Sequence, residues 1–390
     1  MTHTVQNESL PYLQLIAFAM ASFLAIVTET IPAGLLPQIS QGLHISEAQT
    51  GQMISIFAFG AVVSAIPLIT WTRNLNRRPV FISGIAGLLI FNLCTAFSTN
   101  YYWILLFRFL AGVSTALIWG LFAGYARRLV PIHLQGRALA IACVGQPLAL
   151  SLGIPLGNWL GKLLAWQDIF LILAGFALLL ICWIQLLVPD FKGQTAEQQK
   201  SLFEVLHLPG IAYILATLFL WILAHNIVYT YLAPVLMNAE MTTWIGTAFM
   251  IFGVASIVGI WITGILTDRW LRKLTLISLL FFAVAMLILL LCVQTSFLIF
   301  LSLAIWGITF GGAPTLLQTA LADAAGQDAD VAQSILVTVF NFAIACGGFT
   351  GGIILNTFGA SLLSFSTLPF IVIALCLVWF SHSGFKAGAR

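Results

Sequence analysis

Twelve apolar runs, each about twenty residues long and apolar all round, leave this chain very few folds to choose from. They lie near 11–36, 48–71, 79–97, 101–127, 137–160 and 167–188, then 208–236, 243–267, 273–293, 297–322, 331–356 and 362–382. At 1.5 Å of rise per residue, a helix of that length spans the hydrocarbon core of a bilayer. Only helices and closed barrels satisfy every backbone polar group in lipid, and a barrel needs short segments of alternating polarity, which are missing. With 61% apolar and 7% charged residues, the chain cannot supply the polar exterior of a water-soluble domain. The expected class is therefore an all-α membrane protein with twelve transmembrane helices.

The two halves repeat each other. Arg77-Arg78 and Arg272-Lys273 lie 195 residues apart, each between long apolar stretches. The same offset superimposes Gly51 on Gly246, Gly112 on Gly307, Gly153 on Gly348 and Gly157 on Gly352, more coincidences than two sets of 16 glycines give by chance. A duplicated membrane bundle explains this, and internal repeats of that kind mark transporters. The division expected is a six-helix bundle over 1–188, a polar linker over 189–207 that carries Lys192 and Lys200, and a second bundle over 208–390.

Charge bias sets an orientation. Thirteen of the 15 Lys and Arg residues fall on one face: Arg73, Arg77, Arg78, Arg127, Arg128, Arg137, Lys192, Lys200, Arg269, Arg272, Lys273, Lys386 and Arg390. Lys162 is on the other face and Arg108 lies within span four. The positive-inside rule then makes the linker and both termini cytoplasmic. Residues 1–10 lack the basic start of a signal peptide, so no removable leader is expected. The six cysteines fall in apolar runs without CxxC spacing and read as small buried hydrophobes, neither disulfides nor metal ligands.

Charges inside the membrane need a reason, because each costs several kcal/mol. Glu29 lies roughly 25 Å into span one, and Arg108 roughly 10 Å below the opposite surface in span four, by the helical rise. The two share a depth and are expected to face a common water-accessible cavity, with Glu29 exchanging protons and Arg108 tuning it. A static ion pair pinning the two spans is the alternative. In span four Arg108, Thr115, Trp119 and Phe122 fall near one helical face and suit an amphipathic organic ligand, or else simple helix packing. Span seven adds His225, Asn226 and Tyr229, with Gln318 in span ten and Asn341 in span eleven as further cavity candidates; interhelical hydrogen bonding is the plainer role for each. Gly153, Pro155 and Gly157 in span five form a close-packing, kinkable seam suited to rocking, though helix packing gives the same spacing.

On these residues the chain resembles the major facilitator superfamily, in particular its twelve-helix drug/proton antiporter branch with the sugar-efflux permeases. The resemblance runs through Thr28–Pro37 (TETIPAGLLP), Ser46–Gly51 (SEAQTG), Arg77-Arg78-Pro79, Arg108–Gly112 (RFLAG) and Gly264–Lys273 (GILTDRWLRK). It implies the major facilitator fold, and for the last loop a latch between bundles made by Asp268, Arg269 and Arg272. Three positions depart from the family pattern: Arg73 replaces the first-half loop acid, Leu271 replaces the second-half loop glycine, and the Gly-Pro pair is split as Gly153-Ile-Pro155.

The function expected is secondary transport: efflux of a small organic solute, drug-like or sugar-like, exchanged for protons, by a monomer in a bacterial inner membrane. A nutrient importer and a transport-dead sensor are the rivals. No phosphate-cradling GxxxxGK[ST] is present, so ATP is not the energy source. Neither an enzyme nor a cofactor or metal site is expected, and the basic residues hug helix ends instead of forming a nucleic-acid face.

Overall fold

The computed structural model describes residues 10–72, 74–131, 134, 138, 141–193, 202–291, 295–326, 329–381 and 384–385. Among the described residues there are helices and turns but no strand. Among the described residues, twelve helices are long and apolar enough to cross a membrane: Tyr12–Gly34, Glu47–Ala65, Arg77–Phe97, Tyr101–Arg128, Ile141–Leu160 and Trp166–Leu187, then Ile211–Tyr229, Thr242–Thr267, Arg269–Leu291, Ser296–Ala325, Val331–Phe358 and Ala360–Phe380. These are called spans one to twelve below. They match the twelve apolar runs to within a few residues at most ends.

Two boundaries differ for a physical reason. Span seven stops at Tyr229, and a separate helix, Leu232–Asn238, follows. Pro234 near the start of that helix supplies no N–H and crowds the carbonyl one turn back, so the preceding helix cannot run through. Span one ends in the same way: Leu36–Leu43 follows, with Pro37 in its first turn. The breaking residues have nearly the same backbone, Leu35 at φ −108°, ψ 13° and Tyr231 at φ −113°, ψ 26°. Each short helix is followed by a residue with positive φ, His44 at 54° and Glu240 at 57°. These matches are 196 residues apart, one more than the glycine offset, so the two repeats differ in length by one residue between here and Gly51/Gly246. Spans eight and nine, within Ile245–Leu291, are two helices that meet at a kink at Trp270, whose φ of −132° leaves the helical region.

The apolar core falls into two large clusters, beside a small one of Leu15, Val130, Leu134 and Ala138. One is built from residues between Ala17 and Val188. The other runs from Val205 to Phe385 and takes in Ala33, Leu36, Ile54, Ala58 and Ile154 from the first half. Spans one and seven are the most buried, at 72% each, against 33% for spans nine and twelve. The innermost helices are thus related by the repeat, and the outermost show their apolar sides to lipid. The expected burial of the cysteines is corrected here: Cys182 and Cys376 are exposed on spans six and twelve, Cys94, Cys143 and Cys346 are half-buried, and Cys292 lies outside the described residues. A thiol in lipid needs no partner, so an apolar run does not imply an inward position.

The end carrying Arg77 and Arg78 is tied together by carbonyls. Arg78 donates through Nη1 to the carbonyls of Gln185 (3.4 Å) and Val188 (3.3 Å) at the end of span six. Arg272, its repeat neighbour, donates to the Trp379 carbonyl at the end of span twelve. Of the linker predicted over 189–207, residues 194–201 lie outside the described residues, and Leu202–Leu206 is a short helix. Its first residues lie on the first half: the Tyr125 hydroxyl donates to the Pro189 carbonyl (2.7 Å), Arg128 Nη1 to that of Lys192 (2.9 Å), and the Arg77 N–H to that of Phe191 (2.8 Å). Asp190 accepts from the Arg78 N–H (3.0 Å) and from Asn76 Nδ2 (2.8 Å), capping the start of span three with an acid. Where the first-half loop has a base in place of the family's acid, Asp190 brings one from elsewhere in the chain. Asp190→Ala is expected to cost about 1–2 kcal/mol, as lost N-caps do, read as a lowered melting temperature of the detergent-purified protein.

Candidate functional site

Glu29 and Arg108 meet at one depth, as the helical arithmetic predicts, but not as an ion pair. The Arg108 guanidinium donates through Nη2 to the backbone carbonyl of Glu29 (3.0 Å) and through Nε to that of Met53 in span two (3.4 Å). It lies over the Phe57 ring at 4.7 Å and near that of Phe170 at 5.8 Å. Arg108 is fully buried and Glu29 is 3% exposed, so neither faces water in this state, contrary to the expected open cavity. The carboxyl oxygen Oε1 of Glu29 and Nη1 of Arg108 have no hydrogen-bond partner. The physical reason is reach. Span one presents its backbone to Arg108, which spends Nη2 and Nε on two carbonyls and leaves Nη1 without a partner. The neighbouring Thr28 hydroxyl accepts from Asn92 Nδ2 of span three (3.3 Å), which holds span one from a third side.

The rest of the span-four stripe turns into the first half. The Thr115 hydroxyl is spent on the Ala111 carbonyl of its own helix (3.0 Å). Phe122 is buried at 6.0 Å from the Phe18 ring, with half-buried Trp119 at 5.3 Å from it. Asn226 and Asn341 likewise donate one turn back, to Ile222 and Val337, while Gln318 is exposed. The span-five glycines pack on span one, not on the other half: side chains on Gly153, Gly157 and Gly161 would overlap Val27, Ile31 and Leu35 respectively. A π-helical turn, Ala149–Gly153, lies within the seam ahead of Pro155, and Asn158 Nδ2 ties it to the Gly34 carbonyl (2.6 Å). Arg269 is exposed beside the Trp270 bend, and the side chain of Asp268 lies outside the described residues.

His225 and Tyr229 sit in a setting that the sequence did not reveal. His225 stacks on Phe310 of span ten (ring centroids 3.4 Å apart, 6° between planes) and on Tyr229 (4.8 Å), with Trp306 at 5.2 Å and Phe252 at 5.7 Å. Tyr229 also meets Phe249 edge-on at 5.4 Å. All of these residues are buried, and His225 Nδ1, Tyr229 Oη and Trp306 Nε1 have no hydrogen-bond partner. The signal available was the spacing of Phe249 with Phe252 and of Trp306 with Phe310, each one helical turn, but 30 Phe and 12 Trp residues hide such pairs. By the 196-residue offset of the helix breaks, His225 also occupies the place that Glu29 has in the first half.

The halves touch at the end away from the Arg77 loop. Tyr231, in the break after span seven, donates its hydroxyl to the Gly348 carbonyl of span eleven (2.8 Å) and lies 3.3 Å from that of Ala48 at the start of span two. Gln52 Nε2 reaches the Tyr231 hydroxyl (3.4 Å). A side chain on Gly51, Gly351 or Gly352 would overlap the tyrosine or be within 3 Å of it, so glycine is required for this approach. Gly253 of span eight and Ser151 of span five meet in the same manner. Tyr231→Phe is expected to loosen this closed end. A cysteine placed at Gln52 should then react several-fold faster with a membrane-impermeant maleimide; an unchanged rate would remove the tyrosine from the closure.

A sequence profile of the Major Facilitator Superfamily matches residues 18–242 and 233–388. Among curated proteins, the chain is 29% identical over 346 residues to the "Purine ribonucleoside efflux pump NepI" of Shigella dysenteriae serotype 1 (strain Sd197), spanning 88% of this chain and 87% of that one. It is 24% identical over 385 residues to the "Probable sugar efflux transporter" of Helicobacter acinonychis (strain Sheeba), with 98% of each covered. Among solved structures, a bacterial homologue of the human lysosomal transporter Spinster, in an inward-facing and unoccupied conformation, aligns with TM-score 0.71 at 17% identity over 97% of this chain and 98% of that one. The human organic anion transporter MFSD10 aligns with TM-score 0.70 at 15% identity over 95% and 100%.

Proposed function

The chain belongs to the Major Facilitator Superfamily, and on that premise we propose that this multi-pass membrane protein expels a small organic solute in exchange for protons. Relatives named for nucleoside efflux and sugar efflux along nearly the whole chain support export of a polar organic molecule. The single observation that carries the coupling is Glu29: a carboxyl in the most buried helix of its half, one oxygen unpartnered, beside the only Lys or Arg within a span core. A carboxyl that faces a guanidinium and apolar packing in one state and water in another binds a proton in one and releases it in the other. Glu29 and Arg108 form the coupling pair. Of the other candidates, His225 and Tyr229 with Gln318 serve the solute path, and Asp268, Arg269 and Arg272 the latch.

The motion is a rocking of the 1–188 and 208–390 bundles about the span two–eleven and five–eight contacts, with 189–207 as the connector. In this reading the protein works as a monomer in a bacterial cytoplasmic membrane, and the Lys and Arg bias supports an orientation with the Arg77 loop, the connector and both termini in the cytoplasm. Counterflow of sugars, nucleosides and cationic drugs in proteoliposomes under an imposed pH gradient tests this. At least one solute should move against its own gradient only when the pH difference is present. Movement indifferent to the pH difference would remove proton exchange, and movement of none would remove the transport reading.

A further inference from the structure

We propose that the aromatic box around His225 recognises a flat heteroaromatic ring of the nucleobase class, which makes this chain's solute a nucleoside or similar base-bearing molecule and not a free sugar. The proposal rests on the transport reading and names the substrate of that same site. Three spans contribute the rings: His225 and Tyr229 from span seven, Phe252 from span eight, and Trp306 and Phe310 from span ten. Spans seven and ten come together here face to face, with His225 and Phe310 at 3.4 Å and within 6° of parallel. That separation is the thickness of one ring, so a base enters by taking the place of one partner as the two helices part.

Ring faces alone would make a packed core. The edges argue otherwise. His225 Nδ1, Tyr229 Oη and Trp306 Nε1 belong to residues at most 4% exposed, and all three lack a hydrogen-bond partner. Buried polar groups are normally satisfied, so three orphans on adjoining rings call for a complementary edge. The indole offers a donor only, the phenol donates or accepts, and the imidazole nitrogen does whichever its tautomer allows. A planar heterocycle with ring nitrogens and exocyclic oxygen or amine groups presents a π face to the stack and both kinds of polar atom to those edges. A free sugar has hydroxyls for the edges but no π face to fill the stack.

The test uses the full chain in proteoliposomes, with radiolabelled inosine and radiolabelled arabinose as the probes under one imposed pH gradient. Inosine is expected to move and arabinose not. Tyr229→Phe keeps the ring and removes only the hydroxyl, and Trp306→Phe removes the indole donor. Each is expected to raise the half-saturating inosine concentration about tenfold while the melting temperature stays near that of the parent, since one lost hydrogen bond to the ligand has that effect. If Trp306→Phe fails to fold, Tyr229→Phe alone decides. Arabinose moving without inosine, or inosine moving equally well in the variants, overturns the proposal and leaves proton-driven transport standing. If neither these probes nor a wider panel moves, both fall together.

Discussion

Glu29→Gln is expected to fold and to bind its solute, yet to lose solute movement driven by a pH difference. The substitution replaces one carboxyl oxygen by an amide nitrogen of nearly the same size, so the packing of span one on spans two, four and five is kept. The contacts that hold the helix there do not use the carboxyl. Arg108 grips the backbone carbonyl of residue 29, Asn92 the Thr28 hydroxyl, and Asn158 the Gly34 carbonyl, and all three survive the change. What disappears is the only ionisable group on span one that sits in the core of the first half. Solute exchange down matched concentrations needs no proton and is expected to continue, whereas uphill movement should drop to the rate of vesicles without a gradient. Counterflow and gradient-driven transport measured on one preparation separate the two. Uphill movement at the parent rate would assign proton exchange to another group and leave Glu29 a packing residue.

Most of the fold was legible because lipid simplifies the code: a run of apolar residues of bilayer length has one stable outcome, and the offsets of Arg77-Arg78 and the glycines carry the repeat. The break in span seven was hidden because Tyr231 is apolar enough to extend the run, and only Pro234 hinted at it. Depth was also readable. Counting residues from each surface brought Glu29 and Arg108 to one level, and the hydrogen bond between them is there. Which atoms would meet was not readable, since a side chain of Arg108's length can reach either the carboxylate or the carbonyl of the same residue. Facing was the weakest inference. Period 3.6 places Thr115, Trp119 and Phe122 on one side of span four, but whether that side meets a cavity or the first-half core depends on neighbours far away in sequence, Phe18 among them. The aromatic box fails to show for the same reason: its rings come from three spans.

Arg108→Leu is expected to be the most damaging single change in the first half. The guanidinium is fully buried and joins three helices at once, donating to the carbonyls of Glu29 and Met53 and covering the ring of Phe57. Leucine fills part of the volume but takes the second donor from two helix carbonyls and the positive charge from beside the Glu29 carboxyl. Losing a charged donor costs about 1.5–3 kcal/mol for each hydrogen bond, and two are lost here, a large part of the stability of one helical bundle. Low yield and a strongly lowered melting temperature in detergent are therefore expected. Arg108→Lys should recover only part of the loss, because a single ammonium cannot spread over two carbonyls and an aromatic face as the planar fork does. The double variant Glu29→Gln with Arg108→Leu tests whether the two side chains act as a pair. If they do, removing the carboxyl should restore some of the stability that the leucine took away, so the double variant melts above Arg108→Leu alone. Simple additivity of the two losses would mean that Arg108 serves the backbone of span one and nothing more, and the carboxyl would then need a different partner to control its proton.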